Sequence, residues 1–366
     1  MQCITPMVRY YQDFNLLPLD MQKDYKEGNI KLKQSIVPRS RVYDVLQGRP
    51  NALRNLEIKN NELEKKGSVW RYQLIPCQNC WACNMNYSAE WATRIMYECQ
   101  KTDHNYFITL TYDDEHLPIA SKTWYNGTTY ENDGTWEGTL DPKDMDKFIN
   151  SLRKYFERKG HTGIKYYYCG EYGTTTYRPH HHLILMKCPL DIEQFYDCHI
   201  DGRYKEHWKS HEIERFWKNG MIDIGEVEWA SAAYVARYCM KKIFHNTTKE
   251  RYFEEGKYPE YVRMSRRPGI GMDYYREHVK DIYKYDEINV KNFHGMTITV
   301  KPPKAWDRKF KEQFPEEYEN LKLSRQKAAD RANQIKREMT DMTDLQMLEL
   351  KAQEVIRKGK LLPREV

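Results

Sequence analysis

No uninterrupted apolar run of roughly 18 residues, the length that crosses a membrane as a helix, occurs in the 366-residue sequence. Its start, MQCITPMVRYYQDFN, also lacks the apolar stretch of a secretory signal peptide. We therefore expect a cytosolic protein with no membrane partner. A phosphate-binding loop of the GxxxxGK[ST] type is missing too, which argues against a bound nucleotide cofactor and against a helicase.

The composition contains nine cysteines, 29 tyrosines, nine tryptophans and a formal net charge of +6. In a reducing compartment, cysteines more often bind metal or lie buried than form disulfides. Aromatic side chains and mild basicity suit the stacking and charge contacts of single-stranded nucleic acid. The same aromatic content also suits an ordinary core, so composition leaves both interpretations open.

Three parts of the chain differ in pattern. Residues 1–70 are polar and predict an irregular, variable N-terminal arm. Residues 71–285 carry the apolar periodicity of a folded domain with a cysteine-rich entry segment. Residues 286–366 predict a C-terminal extension with a charged amphipathic helix, because apolar residues recur at steps of four and three. Those residues are Ala328, Ala332, Ile335, Met339 and Met342.

Within the middle part, strand and helix patterns alternate. YFITLTYDD predicts a strand, and Asp141-Pro142 predicts the start of a helix that Gly160 ends. KYYYCGEYG and HHHLILM predict two strands joined by TTTYRP, followed by a helical EIERFWKNG. MIDIGEVEW predicts another strand and ASAAYVARYCMKKIF a helix behind it. This order predicts an α+β fold, with a mostly antiparallel central sheet flanked by helices.

Three consecutive histidines begin the strand HHHLILM. Side chains alternate along a strand, so His180 and His182 project to one face and His181 to the other. Two imidazoles on one face can share a divalent ion, and Glu171 on the preceding strand is a candidate third ligand. A carboxylate beside two imidazoles suits Mg²⁺ or Mn²⁺ as well as softer ions. The alternative is a group of hydrogen-bonded surface histidines.

A pair of tyrosines lies on the predicted helix that follows. Tyr234 and Tyr238 are four residues apart, so both project from one helical face, and Lys241 and Lys242 come next. A tyrosine hydroxyl can attack a phosphodiester where a metal ion stabilises the developing charge, and a lysine can contact the phosphate. Core packing is the alternative for such a pair.

Taken in order, YFITLTYDDEHLP, GEYGTTTYRPHHHLIL and YVARYCMKK resemble the three motifs of HUH endonucleases. More narrowly, the chain resembles the rolling-circle replication initiators of microviruses, the gokushovirus-like single-stranded DNA phages. The flanking stretches PCQNCWACNMNYSAEWATRIMYE and MSRRPGIGMDYY are similar to the same initiators. One departure is His181, where the family pattern has a bulky hydrophobic residue.

The resemblance implies an HUH-endonuclease fold and a set of roles. It assigns His180, His182 and Glu171 to metal binding, Tyr234 and Tyr238 to nucleophilic attack, and Lys241 to the catalytic lysine position. The implied reaction nicks origin DNA, leaves a 5′-phosphotyrosine link and a free 3′-OH that primes synthesis, and finally rejoins the displaced strand as a circle. The implied partners are single-stranded or supercoiled origin DNA and a host helicase and polymerase, in the cytoplasm of the bacterial host.

Two further groups of residues are candidates for binding. Cys77, Cys80 and Cys83 have the spacing of a structural zinc site, with Cys99, Cys169 or a histidine as the fourth ligand, or they are buried free thiols. Arg266 and Arg267 in MSRRPGIG, together with Lys242, are candidate DNA contacts, although a solvated turn explains the arginines as well.

Two other functions remain open. A plasmid-type relaxase shares the nuclease chemistry, but its histidine cluster usually follows its tyrosine, whereas here the histidines come first. A non-enzymatic nucleic-acid-binding protein accounts for the composition and leaves the histidines without a reaction. Covalent attachment to DNA distinguishes an enzyme from such a binding protein.

Overall fold

A computed structural model describes residues 3, 6–37, 52–78, 80–119, 138–173, 176–201, 205–243, 252, 256–291 and 296–360. The chain divides into two compact units, one made of Met1–Asn86 with Lys322–Glu365 and the other of Tyr87–Leu321. These divisions differ from the boundaries at residues 71 and 286 that the sequence pattern suggested. Among the described residues, no helix is long and apolar enough to cross a membrane.

The first unit contains a three-stranded antiparallel sheet. Its strands are β1 (Met7–Gln12), β2 (Gln34–Val37) and β3 (Trp70–Ile75), in the order β2-β1-β3. Its helices are Leu19–Lys26, Ala52–Lys65 and Asp344–Lys360. The prediction of an irregular arm over residues 1–70 is therefore wrong. The signal was weak because this sheet buries little: its cluster has Val8 and Leu56 fully inside.

The second unit is built on a seven-stranded sheet in which every neighbouring pair is antiparallel. The strand order is β10-β5-β6-β4-β9-β8-β7. The strands are β4 (Asn105–Tyr112), β5 (Lys165–Tyr172), β6 (Pro179–Met186), β7 (Phe195–Ile200), β8 (Glu206–Ser210), β9 (Gly220–Glu226) and β10 (Tyr261–Met264). A separate hairpin joins β11 (Ile288–Lys291) to β12 (Thr297–Val300).

Helices cover both faces of this sheet, so the predicted α+β class with an antiparallel sheet flanked by helices is confirmed. The remaining helices are Trp81–Cys99, Pro142–Arg158, His211–Glu214, Trp229–Ile243, Met272–Tyr285, Lys304–Gln313 and Pro315–Glu338. Trp81–Cys99 begins in the first unit and Pro315–Glu338 begins in the second.

The helix Pro142–Arg158 packs on one face of the sheet. The side chain of Asp141 accepts a hydrogen bond from the Lys143 backbone N–H at 2.8 Å, which caps the helix as its sequence predicts. Its apolar stripe, including Met145, Phe148, Leu152 and Phe156, is buried against the sheet. We call this side of the sheet the core face.

The opposite side of the sheet carries the helix Trp229–Ile243 and the part of Trp81–Cys99 that lies in the second unit. Ala92 and Ile95 from one helix and Val235 from the other pack there with the sheet residues Phe107 and Ile184. We call this side the site face, because β5 and β6 also direct Glu171, His180 and His182 towards it.

The hairpin β7–β8 is absent from the prediction, and the helix expected over EIERFWKNG is only the single turn His211–Glu214. The reason lies in exposure: the end of β7 faces solvent, so its residues lack the apolar alternation that marks a strand. The extension expected from residue 286 also begins later. Trp306 and Phe310 are buried against Tyr97 and Tyr275 in the second unit.

Candidate metal and tyrosine site

Glu171, His180 and His182 converge on the site face of the sheet. The register of β5 and β6 pairs Glu171 with His180 and Cys169 with His182. Nε2 of His180 lies 3.1 Å from Oε1 of Glu171, and Nε2 of His182 lies 2.9 Å from the same oxygen. Glu171 and His182 are buried, and His180 is half-buried. Three groups of the types that ligate divalent metals thus meet at one point.

Hydrogen bonds behind the two imidazoles fix their orientation. His180 Nδ1 lies 3.0 Å from the backbone oxygen of Arg178, a pure acceptor, so Nδ1 carries the proton and Nε2 carries the lone pair. His182 Nδ1 lies 3.0 Å from Thr109 Oγ1 on β4, and Phe107 stacks on its ring. Support of this kind behind a histidine is typical of metal sites.

The electrostatics of the cluster suit a cation. Burial raises the pKa of Glu171, but hydrogen bonds from His180 and His182 more than offset it, so the pKa falls to about 2. Burial lowers the pKa of His180, but the Glu171 carboxylate outweighs it and leaves that pKa raised. For His182, burial prevails and the pKa is lowered.

A further feature of Glu171 bears on whether these residues fit a metal ion. Its second oxygen, Oε2, is buried and has no hydrogen-bond partner among the described residues. A carboxylate oxygen left in that position is costly unless a cation or a water satisfies it. The donor set and this oxygen together fit a divalent ion.

His181 points to the core face, as the alternation of a strand predicts. Its Nε2 lies 3.2 Å from Tyr112 Oη, and its ring packs edge-on against Trp217 and Tyr261. It is fully buried, and burial, followed by the charges of its two histidine neighbours, lowers its pKa to about 3. His181 is therefore a neutral core residue and does not compete for the ligand positions.

Tyr234 lies on the helix Trp229–Ile243, directly against the cluster. Its Oη donates a hydrogen bond to Glu171 Oε1 at 3.4 Å, and its ring meets the His182 ring edge-on at 5.4 Å. It is buried, and its neighbours Val235 and Ala236 belong to the same apolar cluster. Tyr234 thus packs and also faces the metal-ligating groups. Tyr238, Lys241 and Lys242 lie on the same helix, and their side chains are outside the described part of the structure.

Arg266 and Arg267 are not brought to this cluster. They follow β10, whose Met264 pairs with Tyr167, whereas Glu171 is at the far end of β5. At about 3.3 Å per residue, the separation along the sheet is about 20 Å. Both arginines are exposed, and they line a cavity of about 730 Å³ with the cationic side chains of Lys165 and Lys187.

Cys77, Cys80 and Cys83 meet in the first unit, as their spacing predicts. The fourth residue of that group is Cys3. Cys99 and Cys169, the fourth ligands considered from the sequence, are not in the group; both lie in the second unit. The cysteine nearest in space is far away in the sequence, so spacing alone could not indicate it.

A second histidine group was missed from the sequence. His207 Nδ1 lies 2.8 Å from Asp223 Oδ2, and His199 Nε2 lies 3.5 Å from Asp223 Oδ1. Thr109 pairs with both His182 and Asp223 in the sheet, so Asp223 lies two strands away from the metal cluster in the same row. Only the pairing of β8, β9 and β4 brings these residues together. The aspartate after the apolar Ile222 was the available signal, since it projects to the site face.

Comparison with known proteins follows the same region of the chain. Residues 105–243, which include the whole metal and tyrosine cluster, match the family model for the replication-associated protein ORF2. The chain is 37% identical over 299 residues to the replication-associated protein ORF2 of Spiroplasma virus 4, covering 77% of this chain and 86% of that protein. The chain belongs to the family of phage replication-associated proteins.

Two other members of the family are more distant. The replication-associated protein VP4 of Bdellovibrio phage phiMH2K is 30% identical over 205 residues, which are 55% of this chain and 58% of that protein. The replication-associated protein ORF4 of Chlamydia phage 1 is 24% identical over 221 residues, which are 60% of this chain and 50% of that protein. No solved structure matches the chain. Family membership gives the chain a role in the initiation of phage DNA replication, in agreement with the resemblance found in its motifs.

Proposed function

We propose that this family member nicks phage origin DNA by tyrosine attack and rejoins the displaced strand, in an HUH-endonuclease fold. The observation that carries the proposal is the meeting of Glu171, His180 and His182 with the hydroxyl of Tyr234 on one face of the sheet. An acid and two oriented imidazoles beside a tyrosine are the parts that a metal-dependent transesterification needs.

Glu171, His180 and His182 would hold one divalent ion, Mg²⁺ or Mn²⁺. Bound there, the ion would supply charge stabilisation to the scissile phosphate. The protein prepares the three ligands in advance, because Arg178 and Thr109 already orient the two imidazoles. No nucleotide cofactor is needed, since the energy of the cleaved phosphodiester is retained in the phosphotyrosine link.

In the first step, the oxygen of one tyrosine, Tyr234 or Tyr238, bonds to the phosphorus of the origin phosphodiester. The bond from phosphorus to the 3′-oxygen breaks, the tyrosine loses its hydroxyl proton, and the departing 3′-oxygen gains one. The product is a 5′-phosphotyrosine and a free 3′-OH. Lys241, three residues after Tyr238, would contact the phosphate or favour the phenolate.

The second tyrosine allows the strand to be closed without water. After one circuit of synthesis it would attack the regenerated origin and release a second 3′-OH. That hydroxyl would attack the first phosphotyrosine, restoring the tyrosine and sealing a single-stranded circle. Bonds broken and formed balance at each step, so no outside energy source enters.

Origin DNA, single-stranded or supercoiled, would be the substrate, in the cytoplasm of the bacterial host with a host helicase and polymerase. Lys242 would contact phosphate near the cut. Arg266 and Arg267, about 20 Å from Glu171 along the sheet, would contact DNA several nucleotides from the scissile phosphate. Their replacement should therefore lower the salt dependence of binding without removing cleavage at saturating DNA.

The test is a covalent-adduct assay. Purified protein is incubated with Mn²⁺ or Mg²⁺ and labelled single-stranded oligonucleotides that tile the phage genome, and products are separated on denaturing gels. We expect a protein-linked band that disappears with a chelator, in His182→Ala, and in the double variant Tyr234→Phe, Tyr238→Phe. Tyr285→Phe, an exposed tyrosine on another helix, is the matched control and should retain the band.

Two outcomes would contradict the proposal. If every oligonucleotide binds and none becomes covalently linked, the protein is a binding protein and the cluster has no nicking role. If the adduct persists in the double tyrosine variant, the nucleophile lies elsewhere in the chain. The single variants show which tyrosine acts first on the origin.

A further inference from the structure

Four cysteine sulfurs converge in the first unit, away from any residue used in the proposed reaction. They belong to Cys3, Cys77, Cys80 and Cys83, and their Sγ atoms all lie within 4.8 Å of one another. Cys3 Sγ and Cys80 Sγ are 3.6 Å apart. A disulfide has its sulfurs at roughly 2 Å, and none of the four cysteines forms one. The sulfurs are therefore close enough to share something between them and too far apart to be bonded.

The spacing suits a single tetrahedral ion. With zinc-to-sulfur bonds of about 2.3 Å, two thiolates of a tetrahedron lie about 3.8 Å apart. The observed separation of 3.6 Å between Cys3 and Cys80 is close to this value. Four protein ligands leave no open position, which is the pattern of a structural and not a catalytic site.

The backbone builds the site from three separate segments. β1 and β3 are antiparallel, with Met7 opposite Ile75, so Cys3 before β1 and Cys77 after β3 reach the same end of the sheet. Cys80 follows in a tight turn in which Gln78 has a positive φ of 62°. Cys83 comes from the first turn of the helix Trp81–Cys99.

Backbone amides already point at two of these sulfurs. The N–H of Cys80 donates to Cys77 Sγ at 3.2 Å, and the N–H of Cys77 donates to Cys3 Sγ at 3.3 Å. Hydrogen bonds of this kind stabilise thiolate charge, and the thiolate is the form that binds metal. Cys83 gains similar support from the positive end of the helix on which it lies.

The first unit has a structural need for such a link. Its sheet is covered by a small cluster in which Val8 and Leu56 are fully buried, while Val37, Tyr72 and Leu74 are partly buried. Small units with so little apolar burial commonly depend on disulfides or a bound metal for stability. We propose that Cys3, Cys77, Cys80 and Cys83 bind one Zn²⁺ that ties the segment before β1 to the segment after β3 and to the start of the helix.

The experiment uses the full-length protein without DNA, so its result is independent of nicking. Zinc released by a thiol-specific mercurial is counted, and Co²⁺ is then exchanged into the protein. We expect one thiolate-bound zinc per chain and the strong sulfur-to-cobalt absorption of a four-thiolate tetrahedral site. These readouts respond to sulfur ligands, so metal held by Glu171, His180 and His182 does not add to them.

Variants identify the fourth ligand. Cys3→Ser should weaken zinc binding about a hundredfold and reduce the sulfur-to-cobalt absorption, because one of four thiolates is lost. Cys3→His, which keeps a zinc-ligating side chain, should retain zinc and shift the cobalt spectrum. Cys198→Ser, which removes an exposed cysteine on β7, is the matched control and should change neither measurement.

Three results would overturn the proposal. The first is wild-type protein with no mercurial-released zinc and no sulfur-to-cobalt absorption. The second is iron in place of zinc at the thiolates. The third is an unchanged cobalt spectrum in both Cys3 variants, which would exclude Cys3 as a ligand. The first two come from wild-type protein, so they decide the question even where a variant is insoluble.

Discussion

Replacing Glu171 by glutamine separates the two roles of this carboxylate, which neutralises the histidines when metal is absent and ligates the metal when it is present. Glutamine keeps the shape of the side chain and loses its charge. The hydrogen bonds from His180 and His182 lower the pKa of Glu171 from 4.5 to about 2 despite burial. At about 1.4 kcal/mol per pH unit, this difference corresponds to about 3 kcal/mol of stabilisation of the charged carboxylate.

The sign of the pH dependence follows from the direction of that change. A carboxyl group with a lowered folded pKa stabilises the protein above its unfolded pKa of 4.5, and the contribution is lost as the pH falls towards about 2. The raised pKa of His180 means that its positive charge persists above the ordinary value of 6.5, and the attraction weakens once that charge is lost. The interaction should therefore be fullest between these limits.

The assay is urea unfolding in the presence of a chelator at about pH 5.5, between the ordinary pKa values of glutamate and histidine. We expect Glu171→Gln to lower the free energy of unfolding by about 1–3 kcal/mol, because the glutamine amide replaces part of the lost hydrogen bonding. At about pH 7.5, where unprotonated imidazoles can bind metal, Mn²⁺ should stabilise the wild type and not the variant. Equal stabilisation of both proteins by Mn²⁺ would refute the assignment of Glu171 as a ligand.

Three other substitutions test the surrounding structure by urea unfolding. His181→Ala should cost about 2–4 kcal/mol through a cavity on the core face and should leave Mn²⁺ affinity unchanged; a loss of Mn²⁺ binding without destabilisation would place His181 at the metal. Lys165→Met should cost about 2–4 kcal/mol, because Lys165 pairs with the buried carboxylate of Glu98 at 2.9 Å, while Lys309→Met, at an exposed pair, should cost less than about 1 kcal/mol; similar losses in the two would contradict this reasoning. Asp141→Ala removes a helix cap and should cost about 1 kcal/mol, and an unchanged unfolding curve would show that the cap contributes nothing.

The local part of the site could be predicted from the sequence because it depends on short-range periodicity. Alternation along β6 puts His180 and His182 on one face and His181 on the other, and a short connection returns the chain so that Glu171 lies opposite His180. The four-residue step of Tyr234 and Tyr238 gives their shared helical face in the same way. The roles of Tyr238, Lys241 and Lys242 stay predictions.

The remaining features depend on which distant segments meet. Cys3 joins the other cysteines only because β1 pairs with β3, and Asp223 shares a row with His182 only because β4 lies between β6 and β9. Strand order is not written in the alternation of any one strand. Short strands with exposed sides, such as β1 and β7, also give a weak signal, since solvent imposes no pattern on the residues that face it.

The histidine triplet of β6 makes metal binding a measure of correct folding. If β6 slipped by one residue against its neighbours, His181 alone would face the ligand side, while His180 and His182 would enter the core. A molecule in that state would lose one of its two imidazole ligands. Metal titration of a refolded sample would therefore count the molecules in which the central strands have found their proper alignment, including those that spectroscopy of secondary structure cannot tell apart.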